Sequence, residues 1–94
     1  LQRFDAATQA WTRLADLPGG RDHALAVPLG ADILLTGGYP NQQGNQSSIG
    51  WRYLAAENRW VDEPSLPLTA AAGAALLNGF AWFADMDGRL HQYD

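Results

Sequence analysis

Three consecutive residues, Arg21, Asp22 and His23, place a cation, a carboxylate and an imidazole side by side in the chain. A planar guanidinium binds carboxylates through two parallel hydrogen bonds. We therefore interpret Arg21 as a candidate contact for an acidic peptide or a sugar acid, with Asp22 and His23 beside it. A structural alternative stays open, in which Arg21 pairs with Asp22 or a loop carbonyl and His23 packs at a sheet edge with a hydrogen bond.

A second candidate binding element is the polar, amide-rich stretch "YPNQQGNQSSIG" at residues 39–50. Long loops on a rigid scaffold often carry binding residues. We expect Asn41 and Asn45 within the loop, and Trp51 directly after it, to contribute to a ligand site. The alternative is a tolerated surface insertion that has no role in binding.

The composition narrows the possible partners. The chain has 94 residues, of which 47% are apolar, and ten acids against six bases give a net charge of -4. A binder of phosphate backbones needs clustered Lys and Arg, so we expect no nucleic-acid partner. With no cysteine, disulfides and thiolate metal sites are excluded, and we predict no cofactor and no metal. The cytoplasm, the periplasm and secretion all remain possible locations.

The length and the ends of the sequence favour a fragment. No apolar run has the length of a membrane span, no charged and then apolar leader is present, and the first residue is Leu1. We expect a soluble piece of a longer protein with no membrane partner.

The chain repeats itself with a period near 50. Residues 3–18, "RFDAATQAWTRLADLP", align without a gap to residues 52–67, "RYLAAENRWVDEPSLP". The alignment places three pairs of related residues 49 positions apart: Phe4 with Tyr53, Trp11 with Trp60, and Pro18 with Pro67. The motif "LQRFD" at the start returns as "LHQYD", which contains Tyr93. A period of this length built from short strands is typical of β-propellers.

Short apolar or aromatic runs separated by Gly, Pro, Asn and Asp predict strands rather than helices. We place them at 23–29, 33–37, 49–53, 59–62, 73–77, 81–84 and 89–93. Pro28 has no N–H, so it predicts an edge strand for the first of these runs.

The glycine pair Gly37 and Gly38 ends the strand-like run "ADILLT". Two adjacent glycines indicate either an unusual φ or a very close approach of another backbone segment. In the next repeat Asp85 and Met86 replace the pair, and the dipeptide Asp87-Gly88 suits a tight hairpin.

The ordered set R-x-H-A, I-x-L-x-G-G-Y, an aromatic residue with Asp, a Trp, and L-P resembles the kelch repeat over essentially the whole chain. The resemblance implies an all-β propeller of four-stranded antiparallel blades, present here in part. Residues 1–18 would be the outer strands of one blade, 19–67 a complete blade and 68–94 part of the next. The structural repeat positions would be these six: Trp11, Gly37, Gly38, Tyr53, Trp60 and Tyr93. Further blades would be needed for closure.

The resemblance also implies function, although a fold alone does not determine it. Many kelch propellers place an arginine at the position of Arg21, facing the ligand surface. We expect a protein or ligand binding module that acts through its loop face, and we assign no catalytic residue. Two alternatives remain: part of a sugar-handling enzyme such as a sialic acid mutarotase, and a purely structural segment. The galactose oxidase branch is disfavoured because its copper site needs a cysteine.

Overall fold

The computed structural model describes residues 1–40, 47, 49–63 and 71–93, and all regular secondary structure within them is β-strand. The strands are β1 (Gln2–Asp5), β2 (Ala10–Arg13), β3 (Leu25–Leu29), β4 (Asp32–Thr36), β5 (Gly50–Leu54), β6 (Arg59–Glu63), β7 (Ala71–Leu77), β8 (Phe80–Asp85) and β9 (Leu90–Tyr93). Each strand predicted from the sequence lies within two residues of an observed strand at both ends.

The strands form three antiparallel sheets in chain order: β1-β2, β3-β4-β5-β6 and β7-β8-β9. Every described strand pairs only with its neighbours in the sequence. Turns of two or four residues separate the paired strands, except that residues 37–49 lie between β4 and β5. The all-β prediction is therefore confirmed. Among the described residues none of the sheets closes on itself, and no helix is long and apolar enough to cross a membrane.

The first hairpin and the outer half of the four-stranded sheet share one register. Phe4 lies opposite Trp11 on β1 and β2, and Tyr53 lies opposite Trp60 on β5 and β6. The ring centroids are 5.1 Å apart in the first pair and 5.2 Å apart in the second. Cross-strand aromatic pairs of this kind stabilise a hairpin. The sequence repeat therefore corresponds to a repeated structural unit.

The main core lies between the four-stranded and three-stranded sheets. It consists of Val27 and Leu34 from the first of these sheets and Ala81 and Phe83 from the second, all at most 2% exposed. Val27 and Leu34 are cross-strand partners, so their side chains lie on one face of their sheet. Full burial of a Val, Leu or Phe side chain contributes about 1.5 to 3 kcal/mol.

Pro28 lies on β3, the edge strand of the four-stranded sheet, opposite Ile33. A residue without an N–H leaves one ladder hydrogen bond unmade, and an edge strand tolerates this because one of its sides has no partner strand. The edge-strand prediction from Pro28 is confirmed.

Trp11 and Trp60 occupy equivalent repeat positions but different environments. Trp60 is half-buried, and its indole N–H donates to the Ala15 carbonyl at 3.1 Å, which joins the four-stranded sheet to the segment after β2. Trp11 is 66% exposed and Phe4 is 47% exposed. Nothing in the described part of the chain therefore covers this face of the first hairpin.

Candidate functional site

Four candidate residues lie at one end of the four-stranded sheet: Arg21, Asp22, His23 and Trp51. Because neighbouring strands are antiparallel, the start of β3, the end of β4 and the start of β5 lie at the same end. Residues 21–23 therefore lie beside the glycine pair and the return of the 39–50 loop. The structure brings together the two regions that the sequence indicated separately.

The glycine pair positions the segment before β3. The Asp22 N–H donates to the Tyr39 carbonyl at 2.9 Å, and the Tyr39 N–H donates to the Asp22 carbonyl at 2.7 Å. Between these contacts the backbone passes Gly38, where a Cβ would lie 2.5 Å from the Asp22 oxygen. Gly37 and Gly38 have φ values of 74° and 81°. Both reasons for a glycine pair therefore hold, but only Gly38 makes the close approach.

Arg21 packs on the aromatic ring of Trp51. Its guanidinium carbon lies 4.4 Å from the ring centroid, a cation-π geometry. One terminal nitrogen donates to the Gly20 carbonyl at 2.8 Å, and Nε is buried with no hydrogen-bond partner among the described residues. The stacking holds the guanidinium in a defined orientation at the surface, while part of its donor capacity stays unused.

The expected partners of Arg21 are only partly observed. Asp22 forms its ion pair with His23, with 2.9 Å between Oδ1 and Nδ1, and not with Arg21. No carboxylate in the described ranges lies within ion-pair distance of the Arg21 guanidinium. Of the two structural alternatives, the loop-carbonyl contact is present and the Asp22 pair is absent. The positive charge of Arg21 is thus left without a described counter-charge.

His23 does not pack into the sheet edge. Its side chain is 76% exposed, and its backbone has a φ of 60°, a conformation that is uncommon for residues other than glycine. The imidazole contacts the Tyr39 ring edge to face, with centroids 6.2 Å apart. Of the structural alternative for His23, the packing at the sheet edge is not observed, whereas the hydrogen-bonded pair is present with Asp22.

The 39–50 loop is only partly described. Its return is fixed by the Ser47 N–H, which donates to the Gly38 carbonyl at 2.8 Å. Asn41 and Asn45, predicted to contribute to binding, lie outside the described residues. Trp51 is 5% exposed, so its role at this site is to support Arg21 from below.

A further polar group, centred on Asp85, lies away from this site. In the three-stranded sheet Asp85, at the position of the glycine pair, accepts from His91 Nε2 at 2.8 Å and from the Arg89 N–H at 2.8 Å. The hydrogen bond with His91, and after it the one from the Arg89 N–H, hold the pKa of Asp85 below its ordinary value of 3.8. In the sequence Asp85 appeared only as a replacement for a glycine of the pair. Its contact with His91 depends on the β8-β9 hairpin, which the residue types alone do not indicate.

The described residues contain no group of three or more His, Cys, Asp or Glu side chains able to hold a metal ion. Two surface grooves of about 240 and 310 Å³ lie between neighbouring sheets. The first is lined mainly by apolar groups, and the second contains Arg52, whose charge is already paired with Asp32. Neither groove includes Arg21.

No known protein family and no curated protein matches this sequence.

Proposed function

We propose that this chain is part of a kelch-type β-propeller and that it acts as a binding module, with Arg21 receiving a carboxylate of an acidic peptide or sugar acid. The observation that carries the proposal is the Arg21 guanidinium stacked on Trp51 without a carboxylate partner among the described residues. An arginine held in place loses little further side-chain freedom when it binds a carboxylate.

The propeller part of the proposal is supported by the repeat. Three antiparallel sheets follow one another in the chain, and the hydroxyl groups of Tyr53 and Tyr93 each take part in the contact with the preceding hairpin or sheet. Tyr53 does so through Asn58, and Tyr93 donates directly to the Glu63 carboxylate. The two junctions use different partners, but each joins a sheet to the one before it, as a radial array of blades requires.

The neighbours of Arg21 favour an exposed polar ligand over an apolar one. The Asp22-His23 pair is exposed, and His23 contacts Tyr39 at the entrance of the 39–50 loop. Exposed groups on loops held by a rigid sheet are typical of binding surfaces. In this arrangement Arg21 supplies the charge, and Asp22 and His23 select the polar groups next to the carboxylate.

The test uses the 94-residue chain and two probes, an acidic hexapeptide with a fluorescent label and N-acetylneuraminate. Replacement of Arg21→Ala should weaken binding of the preferred probe by about 10-fold to 150-fold, the range for a hydrogen bond to a charged group. Arg21→Lys keeps the positive charge but loses the planar guanidinium, so the affinity of this variant should lie between that of the native chain and that of Arg21→Ala. Arg59→Ala is the matched control, since Arg59 is an exposed arginine paired with Glu57.

Thermal unfolding separates binding from structure. The stacked pair of Arg21 and Trp51 contributes about 0.5 to 1 kcal/mol, so Arg21→Ala should lower Tm by only a few degrees. A purely structural role predicts the reverse: a large loss of stability with unchanged affinity. Failure of both probes to bind the native chain, or native affinity in Arg21→Ala, would contradict the proposal.

The Asp22-His23 pair also favours one second candidate, a sugar-acid mutarotase, because a carboxylate-imidazole pair can act as general base and acid. The same N-acetylneuraminate sample distinguishes the two functions. A binding module leaves the rate of anomer interconversion unchanged in NMR exchange spectra, whereas a mutarotase raises it in a manner that His23→Ala abolishes.

A further inference from the structure

The segment after β2 is held by its backbone. The Ala15 N–H donates to the Asn58 side-chain oxygen at 2.9 Å, and the Ala15 carbonyl accepts from the Trp60 indole at 3.1 Å. The Tyr53 hydroxyl donates to the same Asn58 oxygen at 2.8 Å and fixes its orientation. Tyr53, Asn58 and Trp60, here called the Asn58 clamp, therefore bind both polar groups of one residue, whatever its side chain.

The first hairpin carries a related set of residues at the equivalent repeat positions, in which Phe4 lacks the hydroxyl of Tyr53. Phe4, Gln9 and Trp11, here called the Gln9 clamp, lie 49 residues before Tyr53, Asn58 and Trp60. Gln9 has a φ of 55° and Asn58 a φ of 50°, so the backbone at the two corners is alike. Gln9 offers an amide oxygen like that of Asn58, and Trp11 offers the same indole N–H.

The two clamps differ in occupancy. Trp60 is half-buried against the Ala15 segment, whereas Trp11 is 66% exposed and its indole N–H has no acceptor among the described residues. A large exposed aromatic pair with unused polar groups is typical of an interaction surface.

We propose that the Gln9 clamp is a docking site for an extended segment of the type of residues 14–18, "LADLP", contributed by a further repeat unit. The occupant must present a residue with a free backbone N–H and a free carbonyl at the position of Ala15. This requirement follows from the way the Asn58 clamp holds Ala15, and it does not depend on anion binding at Arg21.

A second copy of this chain does not meet the requirement. In each copy the Ala15 N–H and carbonyl are already bonded to Asn58 and Trp60. The repeat-equivalent position later in the chain is Pro64, which has no N–H to donate. The junction that follows is made differently, since Tyr93 donates to the Glu63 side chain. The occupant must therefore come from another unit that carries a free Ala15-like residue.

The experiment uses the ¹⁵N-labelled 94-residue chain and the synthetic peptide TRLADLPGG, the sequence of residues 12–20. Addition of the peptide should shift the Trp11 indole N–H resonance saturably and leave the Trp60 resonance unchanged. The control peptide TRLPDLPGG lacks one N–H at the clamped position, and it should bind at least tenfold more weakly. Equal binding of the two peptides, or shifts confined to other tryptophans, would overturn the proposal.

A second test uses a variant of the chain that should bind the peptide more tightly, so its result does not depend on a substitution that removes a contact. The double substitution Phe4→Tyr and Gln9→Asn rebuilds the Asn58 clamp in the first hairpin, and it should tighten binding of TRLADLPGG by at least fivefold. Unchanged affinity in this variant would contradict the assigned roles. A Trp11 resonance that shifts with chain concentration alone would identify a second copy as the occupant and would also overturn the proposal. None of these outcomes depends on how Arg21→Ala changes binding of the acidic probes.

Discussion

Gly38 and Asp22 approach so closely that a Cβ on Gly38 would lie 2.5 Å from the Asp22 carbonyl oxygen. The Asp22-Tyr39 backbone pair beside them continues the pairing of β3 with β4 past the end of the regular ladder. This close approach holds the segment that carries Arg21 against the return of the 39–50 loop. A packing requirement of the fold therefore also determines the geometry of the candidate site.

Gly38→Ala should destabilise the chain by about 2 to 4 kcal/mol, because the new Cβ meets backbone atoms of Asp22 and Ala24 and the φ of 81° is unfavourable for alanine. Gly37→Ala is the matched control. It has a similar φ of 74°, but the nearest atom to its Cβ would be 3.8 Å away, so its cost should be about 1 to 2 kcal/mol. Urea unfolding measures both values, and equal losses would contradict the close-contact argument.

Acid should destabilise the four-stranded sheet through Asp32. The Ala55 N–H, and after it the Arg52 guanidinium, hold the pKa of Asp32 below its ordinary value of 3.8. A carboxyl whose pKa is lower in the folded state stabilises the fold above the unfolded value and loses that contribution as pH falls through the folded value. We expect the stability of the native chain to fall as pH drops below 3.8, and Asp32→Asn to reduce this slope.

The control for this experiment is Asp16→Asn, because Asp16 lies in an exposed ion pair with Arg13 on the first hairpin. Exposed ion pairs contribute little to stability. Urea midpoints measured from neutral to acid pH give the slopes, and identical slopes in the native chain and Asp32→Asn would exclude a role for this contact.

Alkali should weaken the junction between β6 and β9. Burial, and after it the hydrogen bond to Glu63, raise the pKa of Tyr93 to about 12 from its ordinary value of 10. A raised folded-state pKa means that the stabilising contribution is complete below pH 10 and is lost as pH rises from 10 to about 12. Tyr93→Phe should cost about 1 to 2 kcal/mol at neutral pH.

The loss of stability between pH 10 and 12 should be smaller in Tyr93→Phe than in the native chain. Glu63→Gln keeps a hydrogen-bond acceptor but removes the charge. Ionisation of Tyr93, followed by the ultraviolet absorbance of its tyrosinate, should therefore begin at lower pH in this variant. An unchanged titration curve would show that Glu63 does not affect Tyr93.

The isolated 94-residue chain should associate in solution. Strand β9 is a sheet edge, and Leu90 on it is 66% exposed. An exposed apolar edge strand favours pairing between molecules. Leu90→Ser should reduce the mean mass measured by sedimentation, whereas Gln92→Ser, on the same face of the same strand, should not. A cooperatively folded monomer at all concentrations would contradict this prediction.

The sequence predicted the strands well because short alternating runs, turn residues and Pro28 are local signals. It indicated that Gly37 and Gly38 were special, but not that only Gly38 meets the backbone of Asp22 and Ala24. The stacking of Arg21 on Trp51 joins residues 30 positions apart and has no periodic signal. The bond from Ala15 to Asn58 leaves even less trace in the sequence, because it uses the backbone of one partner.

The backbone contact at Ala15 has a consequence for how the repeats can diverge. Asn58 and Trp60 recognise an N–H and a carbonyl that every residue except proline presents, so position 15 can change freely while the junction persists. The next junction uses the Glu63 side chain, and there a substitution must be matched by a change at Tyr93. One junction is therefore open to neutral drift, whereas the other requires paired substitutions, and related sequences should show covariation only at the second.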